Sequence, residues 1–185
     1  MRARSLAPAL LLSMPQMADP NFIRTVVLLC KHNDDGAFGL VVNRPLVTTG
    51  RVIVSSEPPM ETERELEVWV GGPVEPQSSW MLVGDDEDQT GRGGMHICEG
   101  LYLSTSPERL SRLLAPNPPP RTRLIIGYSG WGSGQLEAEL AESAWLLSDV
   151  SADLIFSTPS DRMWEMAIRR LGADPAALQM SRGVH

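Results

Sequence analysis

Short apolar runs separated by turn-forming residues make up the early part of the chain. Residues 25–30 and 38–42 are β-branched and apolar runs of strand length, and residues 33–36 between them end in an Asp-Gly pair. Such a pair tolerates the positive φ that tight hairpin turns require. The pattern therefore predicts a β-hairpin formed by these two runs.

Further apolar runs predict additional strands. Residues 6–12 indicate a buried strand or a short helix, because periodicity cannot decide between the two over so few residues. Residues 145–147 are expected to end the helix that begins at Gln135, if that helix runs so far, or else to form a strand. Residues 84–94 contain no apolar side chain that could anchor them to a core. They therefore predict an exposed, mobile loop. The other predicted strands cover residues 68–70, 80–83, 101–105 and 124–126.

Helix signals recur in the second half of the chain. Ser106 before Pro107, and Thr158 before Pro159, each place an N-cap residue next to a proline at the first helical position. A last short helix is predicted to start at Pro175. The helix that follows Pro159 is expected to turn these apolar side chains inward: Met163, Trp164, Ala167, Ile168 and Leu171.

The stretch 127–134 contains four glycines in eight residues and stands between a predicted strand and the helix that begins at Gln135. Glycine lets the backbone take positive φ and approach a neighbour closely. Tyr128 and Trp131 supply bulk that a flexible linker would lack. We therefore expect a shaped, tight glycine turn, packed against the hairpin by these two aromatic rings.

A phosphate-binding role for this glycine turn is the alternative, because the turn would lead into the N-terminus of a helix. The turn lacks the Gly-Lys-Ser/Thr ending of a P-loop. Glu137 and Glu139 already place negative charge in the first turns of the helix, where they would repel a phosphate. The structural role is therefore favoured.

The recurrence of strands and helices defines the fold class. An early hairpin disfavours a purely parallel, doubly wound sheet, so an α+β (mixed α/β) fold with a mixed sheet is predicted. The 185 residues suffice for one well-filled core, and we expect a single domain over residues 1–185.

Composition and charge narrow the functional classes. The chain is 42% hydrophobic and 21% charged, as in ordinary globular proteins, and its formal net charge is −7. A net negative chain repels phosphate at long range, so direct nucleic-acid binding is disfavoured. No apolar run approaches the roughly 20 residues of a membrane span.

The expected compartment is the cytoplasm. The first residues, with two arginines before the apolar run 6–12, weakly resemble a signal peptide, but the run is brief and contains Pro8. Only two cysteines are present, which is too few for a disulfide framework and fits a reducing compartment.

Cys30 and His32 are the candidate catalytic residues. They lie two apart at the end of a predicted strand, so both side chains would share one face if the strand persists. An imidazole beside a thiol can lower the thiol pKa and create a nucleophile or a redox sensor. However, Cys30 ends a buried apolar run and no third residue of a triad can be named, so a structural cysteine is favoured.

A zinc site is a further hypothesis, because His96 and Cys98 mirror the spacing of Cys30 and His32. Two such pairs could form a Cys₂His₂ set, but structural zinc sites usually separate paired ligands by two or more residues. No metal and no other cofactor is predicted.

A ligand pocket is predicted between the hairpin and the glycine turn. A concave site with mixed polar and apolar lining is the default place for a ligand. Turn chemistry is the other explanation for the polar residues at strand ends and turns, because Asn hydrogen-bonds its own backbone there. These residues are Asn21, Asn33, Asn43 and Arg44. The candidate ligand-binding residues are His32, Asn43, Arg44, Tyr128 and Trp131.

Several blocks resemble the YqgE/AlgH family. They follow the family's order along nearly the whole chain. The blocks are residues 14–22, 30–45, 71–74, 127–137, 171–175 and 183–185. The resemblance implies a cytosolic bacterial protein with a compact mixed α/β fold around a barrel-like sheet flanked by helices. It also implies a link to regulation of alginate synthesis and transcription, yet the chain has no recognisable helix-turn-helix, zinc finger or basic arm.

The expected function is a non-enzymatic regulatory or interaction protein that binds a protein partner or a small ligand. The alternative is a thiol-dependent enzyme or redox sensor that uses Cys30 and His32. Direct transcriptional control through DNA is a third hypothesis, which the net charge disfavours. The oligomeric state is left open.

Overall fold

A computed structural model describes residues 4–48, 52–54, 60–62, 66–84 and 94–180. Within these ranges, ten strands join one curled half-barrel sheet and two short strands form a separate pair. The strands of the sheet are β1 (Ala9–Ser13), β2 (Val26–Asn33), β3 (Gly36–Val41), β4 (Pro45–Thr48), β7 (Leu66–Val70), β8 (Val74–Val83), β9 (Gly94–Cys98), β10 (Leu101–Ser104), β11 (Thr122–Gly132) and β12 (Trp145–Ser148). The separate pair is β5 (Val52–Val54) and β6 (Met60–Thr62). The helices are α1 (Pro107–Leu114), α2 (Gln135–Ala141), α3 (Ala152–Ser157), α4 (Ser160–Arg170) and α5 (Pro175–Met180).

The sheet is mixed, as predicted. Its main path runs β12-β1-β2-β3-β11-β8-β10-β9, and β7 pairs with β11 and with β4. The β7–β11 pair is parallel, while the other pairs among the described residues are antiparallel. Long β11 connects the two halves, because its first part pairs with β7 and β8 and its last part pairs with β3. The predicted α+β (mixed α/β) class with a barrel-like sheet is confirmed.

The predicted hairpin is confirmed as β2 and β3, joined by a two-residue turn at Asp34 and Asp35. Both strands extend further toward the turn than the apolar runs indicate. Gly36, with φ of 142°, is the first residue of β3. Between Leu29 and Lys31 the register of β2 shifts by a bulge, which changes the face on which later side chains lie.

The tight glycine turn predicted at 127–134 is wrong for most of its length. Residues through Gly132 belong to β11, and only Ser133 and Gly134 form a turn before α2. The reason is that β8 and β3 offer hydrogen-bonding partners on this path, which a local reading of glycines cannot reveal. The predicted contact with the hairpin is confirmed, because Trp131 stands opposite Ala37 in the β3–β11 register.

Other local predictions have mixed outcomes. The run 6–12 yields strand β1, which lies between β12 and β2 and is buried at all five residues. Residues 145–147 form a strand, since α2 ends at Ala141. Leu171, expected to point inward, is 43% exposed because it is the C-cap of α4. Helix α3 was not predicted, and most of the loop predicted at 84–94 lies outside the described residues.

The apolar side chains form layers on both faces of the sheet. On one face, Leu28 packs with residues of α3 and α4, such as Ile155 and Trp164. On the other face, Leu29 packs with Leu136 of α2. Covering both faces explains why β1 and β2 are continuously apolar instead of alternating. Among the helices of the described residues, none combines the length and the apolar character needed to cross a membrane.

Candidate functional site

His32 is buried, with 8% of its surface exposed, and holds two parts of the chain together. Its Nδ1 accepts a hydrogen bond from the Leu6 backbone N–H at 3.0 Å. Because Nδ1 is the acceptor, the ring proton lies on Nε2, which donates to Glu137 Oε1 at 2.7 Å. The hydrogen bond from the Glu137 backbone N–H, and then the one from His32, lower the pKa of the Glu137 carboxyl. Both nitrogens of His32 are therefore engaged in positioning the N-terminal segment and α2.

Cys30 lies in the hydrophobic core and not beside a base. Its Sγ is 3.5 Å from the Leu28 carbonyl oxygen, among apolar side chains of β1 and β3. Burial raises the pKa of the Cys30 thiol to about 12, so the thiol is protonated at neutral pH. The imidazole of His32 is bonded to Leu6 and Glu137 instead. These contacts do not provide the ionised thiol on which a nucleophile or redox sensor depends.

The two cysteines are expected to differ sharply toward a thiol reagent. Cys98 is half-buried, and burial and the nearby Glu99 raise its thiol pKa. We expect one reactive thiol, Cys98, in the native protein at pH 8, and a second, Cys30, only after denaturation. Labelling followed by mass spectrometry of the peptides measures this, with Cys98→Ser as the matched control. Rapid native labelling of Cys30 would contradict its burial and would favour the thiol-dependent alternative.

The predicted ligand-binding residues do not form one pocket, although His32 and Trp131 both stand opposite Ala37 and bond to α2. Asn43 Oδ1 accepts from the Val26 N–H, and Arg44 donates to the Ile23 carbonyl oxygen, so both stabilise the open end of the hairpin. His32 lies at the turn end, six residues along β2 from Val26, or about 20 Å. The hairpin length thus separates the residues predicted to share one pocket.

The two aromatic residues of the predicted set also lie in different clusters. Tyr128 contacts Phe38 and Trp80, with ring centroids 5.1 and 6.4 Å away, on the side of the α3–α4 core. Trp131 belongs to the cluster under α2, where its Nε1 donates to Glu139. Their roles here are packing and core hydrogen bonding.

No metal site emerges within the described ranges, which contain no group of three or more His, Cys, Asp or Glu side chains able to hold an ion. His96 is exposed on β9, whereas Cys30 is buried in the core. The four residues of the zinc hypothesis therefore have different environments.

A cleft of about 250 Å³ opens where β7, β11 and α3 meet; we call it the arginine cleft. At its centre, the Arg123 guanidinium carbon lies 3.9 Å from the centroid of the Trp69 ring and 5.3 Å from that of Phe156. Arg123 Nη1 donates to the Val42 carbonyl oxygen at 3.1 Å. The lining residues are Leu66, Glu67, Trp69, Leu113, Pro118, Pro119, Arg121, Thr122, Arg123 and Phe156.

The electrostatics of the arginine cleft are unusual for this acidic chain. Burial lowers the pKa of Arg123 to about 10, partly offset by the nearby Glu67, so the guanidinium stays charged at neutral pH. Arg121 forms an ion pair of 2.7 Å with Asp153. Its Nε is buried and has no hydrogen-bond partner among the described residues. The cleft therefore holds positive charge that the surrounding protein satisfies incompletely.

The sequence-based prediction missed the arginine cleft. Arg121 immediately precedes β11 and Arg123 is its second residue, so the two are spaced like side chains on one face of a strand. That spacing was the available signal, although Trp69 and Phe156 come from distant segments. Only the packing of Trp69 and Phe156 beside the two arginines forms a candidate binding site.

Comparison with known proteins identifies the class. A family model described as AlgH-like matches residues 10–176, and the chain belongs to this family. The resemblance to the YqgE/AlgH family is thereby confirmed. Among similar proteins, a UPF0301 protein of Myxococcus xanthus (strain DK1622) is 42% identical over 185 residues, covering 98% of this chain and 99% of that protein.

Solved structures agree with this assignment. The solution structure of the AlgH protein from Pseudomonas aeruginosa matches with a TM-score of 0.71 and 32% identity, covering 98% of this chain and 96% of that one. The crystal structure of DIP2367 from Corynebacterium diphtheriae matches with a TM-score of 0.67 and 19% identity, covering 97% of this chain and 93% of that one. The latter supports the fold alone.

Proposed function

We propose that this AlgH-like protein is a non-enzymatic regulatory or interaction protein that acts in the cytoplasm by binding a protein partner or a small ligand at the arginine cleft. One observation carries the proposal: a partly buried guanidinium stands in an open cleft against two aromatic rings. Burying charge is unfavourable, so such an arrangement is typical of a binding site. The two unpaired cysteines support the reducing cytoplasm.

A binding role is favoured over catalysis by the state of the candidate catalytic pair. The Cys30 thiol is protonated in the core, and both nitrogens of His32 already have partners. A nucleophile needs an adjacent base that is free to take its proton. The arginine cleft, by contrast, offers charge, aromatic surface and an opening.

A role in gene regulation, which the resemblance to the YqgE/AlgH family implies, would operate through a bound partner. The net charge of −7 gives unfavourable long-range interaction with DNA, and counterion release requires clustered basic residues. Binding at the arginine cleft thus accounts for regulation without direct contact to nucleic acid.

The test compares the wild-type chain with Arg123→Lys, and with Arg44→Lys as a matched control at the open end of the hairpin. Each tagged full-length protein is used to capture partners from cytoplasmic extract and is screened with metabolites for a rise in Tm. We expect a partner or ligand retained by wild type and by Arg44→Lys and lost by Arg123→Lys. Finding neither a specific partner nor a stabilising ligand for wild type would overturn the proposal.

A further inference from the structure

The Arg123 guanidinium lies against two aromatic rings and keeps N–H donors for a ligand. Its carbon lies over the Trp69 ring at 3.9 Å and near Phe156 at 5.3 Å, so aromatic surface contacts the planar group. Its one hydrogen bond to the described residues is to the Val42 carbonyl oxygen. A guanidinium carries several N–H donors in a rigid planar fork, so further donors remain available.

The second arginine adds an unused donor in the same cleft. Arg121 Nε is buried and unbonded within the part of the chain that the structure describes. Nη2 of the same guanidinium donates to Asp153, which orients the group. Buried N–H groups without partners are rare in proteins, and because this one has no contact with solvent, a bound acceptor reaches it only if the Arg121 side chain moves.

The charges around the arginine cleft disfavour a doubly charged acceptor. The lining contains two cations, Arg121 and Arg123, and one anion, Glu67, and Asp153 neutralises Arg121 from the side. A phosphate dianion would meet two carboxylates here. A carboxylate carries a single charge, and its two oxygens match the guanidinium fork.

The other lining residues and the volume of the cleft indicate the size and polarity of the rest of the ligand. Phe156, Pro118 and Pro119 provide apolar surface, whereas Trp69 is only 5% exposed and its ring is covered by Arg123. Pockets for drug-sized molecules measure about 300 to 1,000 Å³, whereas this cleft measures about 250 Å³. The available space suits a body about the size of a single ring.

We infer that the arginine cleft binds the carboxylate of a small organic acid with a flat apolar body, with Arg123 as the recognition residue and Arg121 as the second donor. This inference rests on the proposed binding function and specifies its ligand class. The same chemistry is present in the C-terminal residue of a peptide, so the experiment includes that source.

The experiment titrates the full-length protein with phenylacetate, its neutral isostere phenylacetamide, inorganic phosphate, and a short peptide that ends in a free Phe carboxylate. Isothermal calorimetry measures affinity, and NMR follows the arginine Nε–H and indole N–H signals. We expect saturable binding of phenylacetate, at least about tenfold weaker binding of the amide and of phosphate, and shifts of Arg121, Arg123 and Trp69. The peptide is expected to bind no more tightly than phenylacetate.

Variants tie the binding to the named side chains. Arg123→Lys keeps the positive charge but loses the planar fork of guanidinium N–H donors. We therefore expect about a tenfold loss of phenylacetate affinity for this variant. The affinity of Arg44→Lys should be unchanged. If Arg123→Lys does not fold by circular dichroism, Arg121→Lys and the wild-type NMR shifts carry the test.

The outcomes separate the two proposals. Equal affinity for acid and amide, tighter binding of phosphate, or shifts confined to other residues would overturn the carboxylate assignment. Tighter binding of the peptide would overturn the small-acid source. A protein that binds none of the probes, yet captures a partner only when Arg123 is intact, refutes this inference while the proposed function stands. Loss of both kinds of binding refutes both.

Discussion

Gly72→Ala is expected to reduce the free energy of unfolding by about 4 kcal/mol or more, which is a large part of the total stability of a typical domain. Gly72 has a φ of 152°, where L side chains are strained. A Cβ atom at this position would overlap the backbone carbonyl group of Tyr128. The substitution therefore combines backbone strain with a clash against main chain.

The surrounding hydrogen bonds prevent the clash from relaxing. The neighbouring Gly71 donates its N–H to the Ile126 carbonyl oxygen at 2.8 Å. Its own carbonyl oxygen accepts from the Val41 N–H at 2.8 Å and from Ser129 Oγ at 3.0 Å. The chain is thus tied to β3 and β11 at the point where β7 ends, and moving it would break buried bonds.

Urea denaturation measures this effect, and Gly100→Ala is the matched control. Gly100 also has positive φ, 70°, but a Cβ atom there would have nothing within 4 Å. We expect Gly100→Ala to cost only about 1 kcal/mol, from backbone conformation alone. Comparable losses for the two variants would show that the close approach at Gly72 is not what requires glycine.

Glu139→Ala is expected to cost about 2 to 5 kcal/mol, because it leaves two buried indole N–H groups without an acceptor. Glu139 Oε2 accepts from Trp131 Nε1 at 2.9 Å and from Trp145 Nε1 at 2.8 Å. Trp131 is 6% exposed and Trp145 is 4% exposed, so water cannot readily replace the carboxylate. Gln135 Nε2 donates to the other oxygen and holds the carboxylate in place.

Chemical denaturation of three variants distinguishes this role from a general effect of charge. Glu139→Gln retains an acceptor oxygen and should lose less stability than Glu139→Ala. Glu142→Ala removes an exposed acid at the C-cap of the same helix and should change stability by less than about 0.5 kcal/mol. If Glu139→Ala were as mild as Glu142→Ala, the shared acceptor would not matter to the fold.

The elements that the sequence predicted correctly have strong local signals. The hairpin β2–β3 follows from two apolar runs around an Asp-Gly pair, and α1 follows from Ser106 and Pro107. These signals depend only on neighbouring residues, so they can be interpreted without the rest of the chain. The face of His32 was less predictable, because the bulge at Leu29 and Lys31 leaves no clear mark in the pattern.

The candidate site could not be predicted to the same degree. The predicted set joins residues from both ends of the hairpin, which the length of β2 separates by more than the reach of one pocket. The arginine cleft combines Trp69, Arg123 and Phe156, which are remote in sequence. Their association depends on the parallel β7–β11 pairing and on the packing of α3, which are long-range contacts.

Local periodicity, capping residues and motif order encode the mixed α+β class, the hairpin, the start of most helices and the AlgH-like family, so these features are predictable without the structure. The tertiary structure alone decided that the glycine stretch continues as β11, that Cys30 is a core residue, and that an acidic chain presents an arginine cleft. The physical reason is that strand pairing, burial and desolvation arise between segments far apart in the chain, where each depends on partners that no local window contains.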